Sequence, residues 1–310
     1  MKVFCPDINE NWILDRITLE YCETTSQNIV NDINECDTIL LFAPFVWKQI
    51  PEYFLQTKKL ILFLHHIVPQ KFNPQEFLER DKFVDCYIVP NEITKSFIQK
   101  LTNKPIEKVH YWINQELWQK TNSEETRKQL GLENKFVIFS AVRDTEGQGC
   151  DGLNPLPKIE KNPEGLVQAI KLVQKNIGVE IFVILGGWRR QFIIKRLKEE
   201  NIKFIYIERP ELDIINALYD VADLCIQASL YEGGSQQIIE CAYKKVPIIS
   251  TDAGLASEIL SKNCVFDVTQ KFYLPTQEDL DFNYNSVLEK CDMKSQIKKL
   301  DDIINDITSS

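Results

Sequence analysis

The sequence lacks an apolar run of the ~20 residues needed to cross a bilayer. Its longest candidate, KKLILFLHHIV at 58–68, reads as a buried strand ending in a loop. The opening MKVFCPDINENW has no apolar stretch of the kind a secretory signal carries, so a cytoplasmic location is expected. Histidine is scarce, with 3 in 310 residues, and the 9 cysteines contain no Cys-x-x-Cys pair, so no metal site is expected. Cys22, Cys86, Cys225, Cys241 and Cys264 sit in or beside apolar runs and read as reduced core residues. Positive charge is also short. A net charge of −9 argues against a broad nucleic-acid or anionic-membrane surface, and no nucleic-acid partner is expected. Internal repeats and low-complexity tracts are absent.

What the chain does have is a regular alternation of short apolar runs and helical patterns. Strands are expected at 1–5, 37–43, 59–65, 84–89, 107–111, 135–141, 179–186, 202–207, 223–228 and 246–250. Several are apolar at consecutive positions, the mark of parallel strands covered on both faces. Helical stretches lie between them, including 163–176, 190–200, 213–221 and 234–244. The first of these has Pro163 in its opening turn and Asn162 as N-cap. The alternation implies an α/β architecture.

The alternation pauses over the polar stretch 114–135, which suggests a boundary between two α/β domains. Expected are a first domain at 1–125, a second at 126–285, and a C-terminal helical segment, 286–310, packing on or near the first. A second irregular stretch, 143–162, is rich in Gly, Pro and Asp. It follows a strand and precedes a helix, and open α/β sheets bind ligands at that edge.

The stretch YEGGSQQIIECAYKKVPIIS at 231–250 carries the clearest chemistry. Gly233 and Gly234 permit close backbone approach, and Ser235 stands where a helix cap belongs. The exposed amides and positive dipole end of that helix form an anion site. Glu232 precedes the site, and Glu240 lies nearly two turns deeper, on a face shared with it. Carboxylates beside an anion site are compatible with sugar hydroxyls lying between them. The ligand implied is a sugar nucleotide. The plainer alternative is a tight turn before a helix that carries a solvated glutamate.

EGGSQQIIECAYKKVPIISTDAGLASEIL resembles the E-x7-E segment of retaining family-four glycosyltransferases (glycosyl transferases group 1), which have the GT-B fold. FVIFSAVRD, KNPEGLVQAIKLV, IFVILGG and INALYDVADLCIQASLYEGG agree in order, so the resemblance runs over roughly 136–260. It implies two Rossmann-like domains facing each other across a cleft, the second holding a nucleoside-diphosphate sugar, UDP- or GDP-linked. It implies a hexosyltransferase that moves the sugar to an acceptor hydroxyl on a glycan, lipid-linked sugar or protein glycan, with retention and without metal. No separate cofactor is implied.

Carried over residue by residue, Glu232 takes the role of binding donor sugar hydroxyls and supporting the transition state. Gly233, Gly234 and Ser235 hold the sugar and distal phosphate, and Glu240 the ribose. Arg143 and Lys161 match the cation pair that neutralises the diphosphate. Arg209, in ERPEL, lies where the family reads the base. In LILFLHHIVP, His65 matches a histidine facing sugar and acceptor, although His66 replaces the usual aspartate. Asn114 lies near an interdomain aspartate.

Three departures stand out. The glycine-rich first loop is replaced by CPDINENW at 5–12. The first domain is short. An insertion at 145–160 separates Arg143 from Lys161, so Lys158 is an alternative phosphate ligand and the insertion a lid or acceptor contact. Arg189 is a further phosphate candidate, Arg190 reads as a solvated residue, and Trp188 as a packing residue. The C-terminal KKLDDIINDI reads as a packing helix, with peripheral membrane contact a lesser alternative. Two other readings remain open: a phosphorylase or epimerase-like hydrolase of the same fold, and a non-catalytic nucleotide-sugar-binding or partner subunit of a glycosylation complex.

Overall fold

The structure, a computed structural model, describes residues 1–10, 13–147 and 154–309. It divides into two compact units. One comprises Met1–Trp112 with Lys290–Ser310, the other Ile113–Glu289.

The first unit is a parallel sheet of β1 (Lys2–Phe4), β2 (Asn28–Ile29), β3 (Thr38–Leu41), β4 (Lys59–Phe63), β5 (Cys86–Val89) and β6 (Ile106–Lys108), in the order β2-β1-β3-β4-β5-β6. Every residue of β3 and β5 is buried, as their unbroken apolar runs require when helices cover both faces. Strand β2 is invisible in the sequence. It is two residues long, and its extended backbone follows from pairing with Lys2 and Val3, a tertiary effect.

The expected helical pattern at 286–308 resolves into two helices, Gln277–Lys290 and Met293–Ser309. The break falls where the Asp292 carboxylate accepts the Ser295 amide at 2.9 Å and starts a new helix. The second helix is fastened to the first unit through Asp301, which is 4% exposed. One oxygen accepts from the Tyr21 and Thr25 hydroxyls at 3.2 and 2.5 Å. The other accepts from the Ser26 amide and hydroxyl at 2.8 and 2.7 Å.

The second unit is also a parallel sheet: β7 (Phe136–Ser140), β8 (Ile181–Gly187), β9 (Phe204–Glu208), β10 (Leu224–Gln227) and β11 (Ile248–Ser250), in the order β11-β10-β7-β8-β9. The chain builds outward from β7 through β8 to β9, then returns to the other side of β7 for β10 and β11. The carboxyl ends of β7 and β10 therefore flank a topological switch point, where open sheets hold ligands.

The Pro163–Ile177 helix begins as its sequence specifies. Pro163 is in its first turn, and Asn162 Oδ1 accepts the Gly165 amide at 3.2 Å. Its apolar face (Leu166, Val167, Ala169, Ile170 and Val173) is buried in the core with Ile138, Val183 and Leu224. Four of the five cysteines expected in cores, Cys86, Cys225, Cys241 and Cys264, are buried and reduced. Cys22 is reduced but only half-buried, because its helix turns one side outward.

Candidate active site at the β7–β10 switch point

The loop after β10 carries Glu232. Its side chain is 9% exposed and accepts two hydrogen bonds at one oxygen, from Lys161 Nζ at 2.6 Å and Gln227 Nε2 at 2.8 Å. Gln227 is the last residue of β10, so the strand end itself orients the carboxylate. From behind, Gly254 presses on the loop with φ of 62°. A Cβ there would lie 2.3 Å from the Gly233 carbonyl oxygen and 2.9 Å from Glu232 Cβ, so only glycine permits this approach.

The segment 158–162 is strapped along the same loop. The Glu160 carbonyl accepts the amides of Leu230 and Tyr231 at 2.8 and 3.2 Å, and Asn162 Nδ2 donates to the Ala228 carbonyl at 3.1 Å. The segment is closed at its other end by an antiparallel bridge between Thr145 and Pro157. There the Glu146 amide donates to Leu156 at 2.9 Å and the Lys158 amide to Asp144 at 2.8 Å. That neck brings Arg143, Lys158 and Lys161 together despite the long insertion. The tip of the insertion, 148–153, lies outside the described residues, as do positions 11 and 12 of the CPDINENW loop.

The electrostatics record this convergence. Lys158 is pushed below the usual lysine range, first by burial and then by the Arg143 cation. Glu160, at 3.2 Å, opposes the shift, and Lys161 adds to it. Lys158 and Lys161, alternatives in the sequence, thus belong to one cluster with Arg143.

Trp188, just past β8, joins Arg143 to two further cations. The guanidinium carbons of Arg189, Arg209 and Arg143 lie 3.9, 4.1 and 5.7 Å from its ring centre. Such contacts are each worth ~0.5–1 kcal/mol where solvent reaches them. Arg189 and Arg209 both take left-handed backbone, with φ of 56° and 43°. The Arg209 amide donates to Gly187 at 2.9 Å, and the Arg189 carbonyl accepts from the Thr145 amide at 3.1 Å. The indole is therefore a platform for arginines, rather than a residue of the inner core.

Arg190 is not the solvated residue its sequence context suggests. It has 0% exposure, donates to Asp144 Oδ2 at 2.6 Å and reaches the Ser140 and Gly186 carbonyls at 2.7 and 2.8 Å. It ties the ends of β7 and β8 together and holds Asp144, the residue next to Arg143 in the chain. Burial pushes the Asp144 carboxyl up, against the pull of Arg190. Adjacent arginines after a strand look alike in a sequence, so no signal there singles out this one.

Ser235 occupies the N-cap position of the Gln236–Tyr243 helix, but its hydroxyl makes no capping hydrogen bond. Glu240 is 4% exposed within that helix and accepts from the Tyr219 hydroxyl at 2.7 Å. The phenol of Tyr219 is pushed well up by burial and then by that carboxylate. Asp279 and Asp281, an acid-x-acid pair, do not converge. The first accepts from Ser261, Tyr273 and Thr276, and the second pairs with Lys245 at 2.6 Å. Among the described residues, no group of three or more His, Cys, Asp or Glu side chains is placed to hold a metal ion. Nor, among them, is any helix long and apolar enough to cross a membrane.

His65 belongs to the first unit, two residues past β4. Its Nδ1 is hydrogen-bonded to the Tyr111 hydroxyl, and its carbonyl accepts from the Thr94 hydroxyl at 3.2 Å. Burial pushes the imidazole down to about 3, with the His66 charge adding to the effect, so the ring is neutral near pH 7.

Residues 158–300 match the model of the family described as Glycosyl transferases group 1. The matched stretch contains Lys158, Lys161, Arg209, Glu232, Gly233, Gly234, Ser235 and Glu240; Arg143 and His65 lie outside it. No curated protein matches the sequence. Among solved structures, the chain is similar to HepE from Anabaena in complex with UDP and glucose, at 12% identity over 98% of this chain and 99% of that one, with a TM-score of 0.75. A glycosyltransferase from Rickettsia africae is similar at 14% identity over 99% and 98%, with a TM-score of 0.69. The sucrose-phosphate synthase of Thermosynechococcus elongatus is similar at 14% over 88% and 74%, with a TM-score of 0.65. At such identities the likeness shows the fold, which is GT-B, built of two Rossmann-like units.

Proposed function

We propose, from the premise that residues 158–300 are a glycosyl transferases group 1 domain and the protein a glycosyltransferase, that it moves a sugar from a nucleoside-diphosphate donor to an acceptor hydroxyl. The transfer keeps the anomeric configuration and requires no metal. The donor class is supported by HepE, whose structure holds UDP and glucose. The acceptor hydroxyl belongs to a glycan, a lipid-linked sugar or a protein glycan.

The observation that carries this reading is the convergence of Arg143, Lys158 and Lys161 beside Glu232, at the β7–β10 switch point. Breaking the bond between the anomeric carbon and the diphosphate leaves negative charge on phosphate and positive charge on carbon. Pre-placed cations and a helix N-terminus stabilise the first without reorganisation. Glu232 accepts hydrogen bonds from sugar hydroxyls and opposes the second. The acceptor oxygen attacks from the face the diphosphate leaves, and a leaving phosphate oxygen takes the acceptor proton. The products are the glycoside and the nucleoside diphosphate.

Lys161 has a part in this beyond charge. Its ammonium lies 2.6 Å from the Glu232 oxygen. An arriving diphosphate draws the ammonium to itself and releases that oxygen for the sugar. Glu240, about one turn into the Gln236–Tyr243 helix, takes the ribose hydroxyls, and Arg209 lies toward the base. His65, neutral near pH 7, serves the acceptor side as a hydrogen-bonding group and not as a cation.

The test is slow hydrolysis of labelled UDP- and GDP-sugars in chelator. At least one donor is expected to turn over, and Glu232→Ala to abolish it. Tight donor binding with no turnover, even with acceptor extracts, would instead identify a non-catalytic binding protein.

A further inference from the structure

The first unit contains a pocket to which the donor chemistry assigns nothing. It lies between the 64–72 segment that follows β4 and the Pro74–Asp81 helix, with a cavity volume of about 270 Å³. That is just under the ~300 Å³ at which small-molecule sites begin, room for one small group rather than a whole large ligand.

Its unusual member is Arg80, in the last turn of that helix. The side chain is 8% exposed and lies over Phe77, with the guanidinium carbon 5.6 Å from the ring centre. Nε is buried without a hydrogen-bond partner. The guanidinium also serves the Tyr87 phenol, but that phenol donates its own hydrogen to Asp81 at 3.0 Å. A buried cation that lacks a bound anion is costly to keep. The acid lining the pocket, Glu76, is held by Lys48 at 2.8 Å. Lys71 and His66 share the lining. Leu64, Ile67, Phe72 and Phe77 make the remaining wall apolar.

We infer that this pocket binds an anionic group, a carboxylate or a phosphate monoester, carried by the acceptor on a body with an apolar face. A guanidinium with an unused Nε–H suits either anion, because both accept its fork of donors. That the ligand is an anion rests on the pocket; that it is the acceptor rests on the glycosyltransferase reading.

Calorimetric titration of the full chain tests this with methyl glucuronide, glucose 6-phosphate and neutral methyl glucoside. UDP is titrated in parallel. At least one acidic probe is expected to bind at least tenfold more tightly than the neutral one, and the comparison of the two acids distinguishes carboxylate from phosphate. Arg80→Gln is expected to lose at least tenfold of that affinity and Lys71→Ala a few-fold, with UDP binding unchanged in both. Arg80→Gln is checked by its unfolding midpoint; if it does not fold, the Lys71→Ala loss decides. Acidic and neutral probes binding alike, or acid binding unaffected by the variants, overturns the inference while UDP binding still stands. Failure of UDP to bind, with acid binding intact, counts against the donor assignment alone.

Discussion

Lys161 Nζ lies 2.6 Å from Glu232 Oε1, so the cation assigned to the diphosphate and the acid assigned to the sugar are paired with each other. The pair is mostly buried, with side-chain exposures of 15% and 9%. Removing one partner therefore leaves the other without its charge complement. Glu232→Gln is expected to lower turnover of the donor by about 100-fold or more, the usual cost of one pre-placed electrostatic group. Lys161→Met is expected to lower it comparably and also to weaken diphosphate binding, which Glu232→Gln should not do. Steady-state kinetics with a labelled donor, beside UDP titration, separates the two.

Trp188 holds Arg143, Arg189 and Arg209 around one ring. Trp188→Leu keeps an apolar side chain but removes the π-face. At ~0.5–1 kcal/mol per contact, the loosened arginines are expected to weaken UDP binding by about threefold to tenfold, with little change in the unfolding midpoint. Unchanged UDP affinity would mean that the platform plays no part in donor binding.

Arg190 and Asp144 form a fully buried ion pair at 2.6 Å. Arg190→Met strands Asp144 in the core and is expected to cost about 3–5 kcal/mol. Chemical denaturation measures it. A cost below about 1 kcal/mol would mean that Arg190 is not the tie between the ends of β7 and β8.

His65 has an ordinary value near 6.5 and a folded value pushed to about 3 by burial. Above 6.5 both folded and unfolded chains hold the ring neutral, and the shift has no effect on stability. As pH falls from 6.5 toward 3, the unfolded chain takes a proton that the folded chain refuses, so stability falls. His65→Gln cannot take that proton. The difference in unfolding midpoint between variant and parent is expected to shift in favour of the variant over this window and to stay constant above pH 7. Donor binding at pH 7 is expected to be unchanged.

The strands were readable because buried parallel strands need apolar residues at consecutive positions, as in Ile39–Leu41 of β3 and CYIV of β5. Strand β2 was not, because two residues with no apolar run take their shape from a neighbour. Glu232 was marked by the Gly-Gly turn that follows it, Lys161 and Arg143 only by the resemblance to the family. Other contributions are set by folding alone. Gln227 orients Glu232 only because β10 ends beside it, and Arg190 is buried only because β7 and β8 pair side by side. That Lys158 joins Arg143 and Lys161, instead of replacing Lys161, was not legible across the insertion, whose ends are joined through the bridge between Thr145 and Pro157. Arg80 left no trace in the sequence, since its isolation depends on Glu76 pairing with Lys48.

The most direct measurement is the shift in unfolding midpoint produced by UDP and GDP, free and sugar-linked, in the presence of chelator, for the parent chain and for Arg143→Ala. A ligand bound only by the folded state raises the midpoint. The expected result is stabilisation by at least one nucleotide without metal, clearly reduced in Arg143→Ala. Stabilisation that vanishes in chelator, or that is identical in the variant, would contradict a diphosphate held by these side chains.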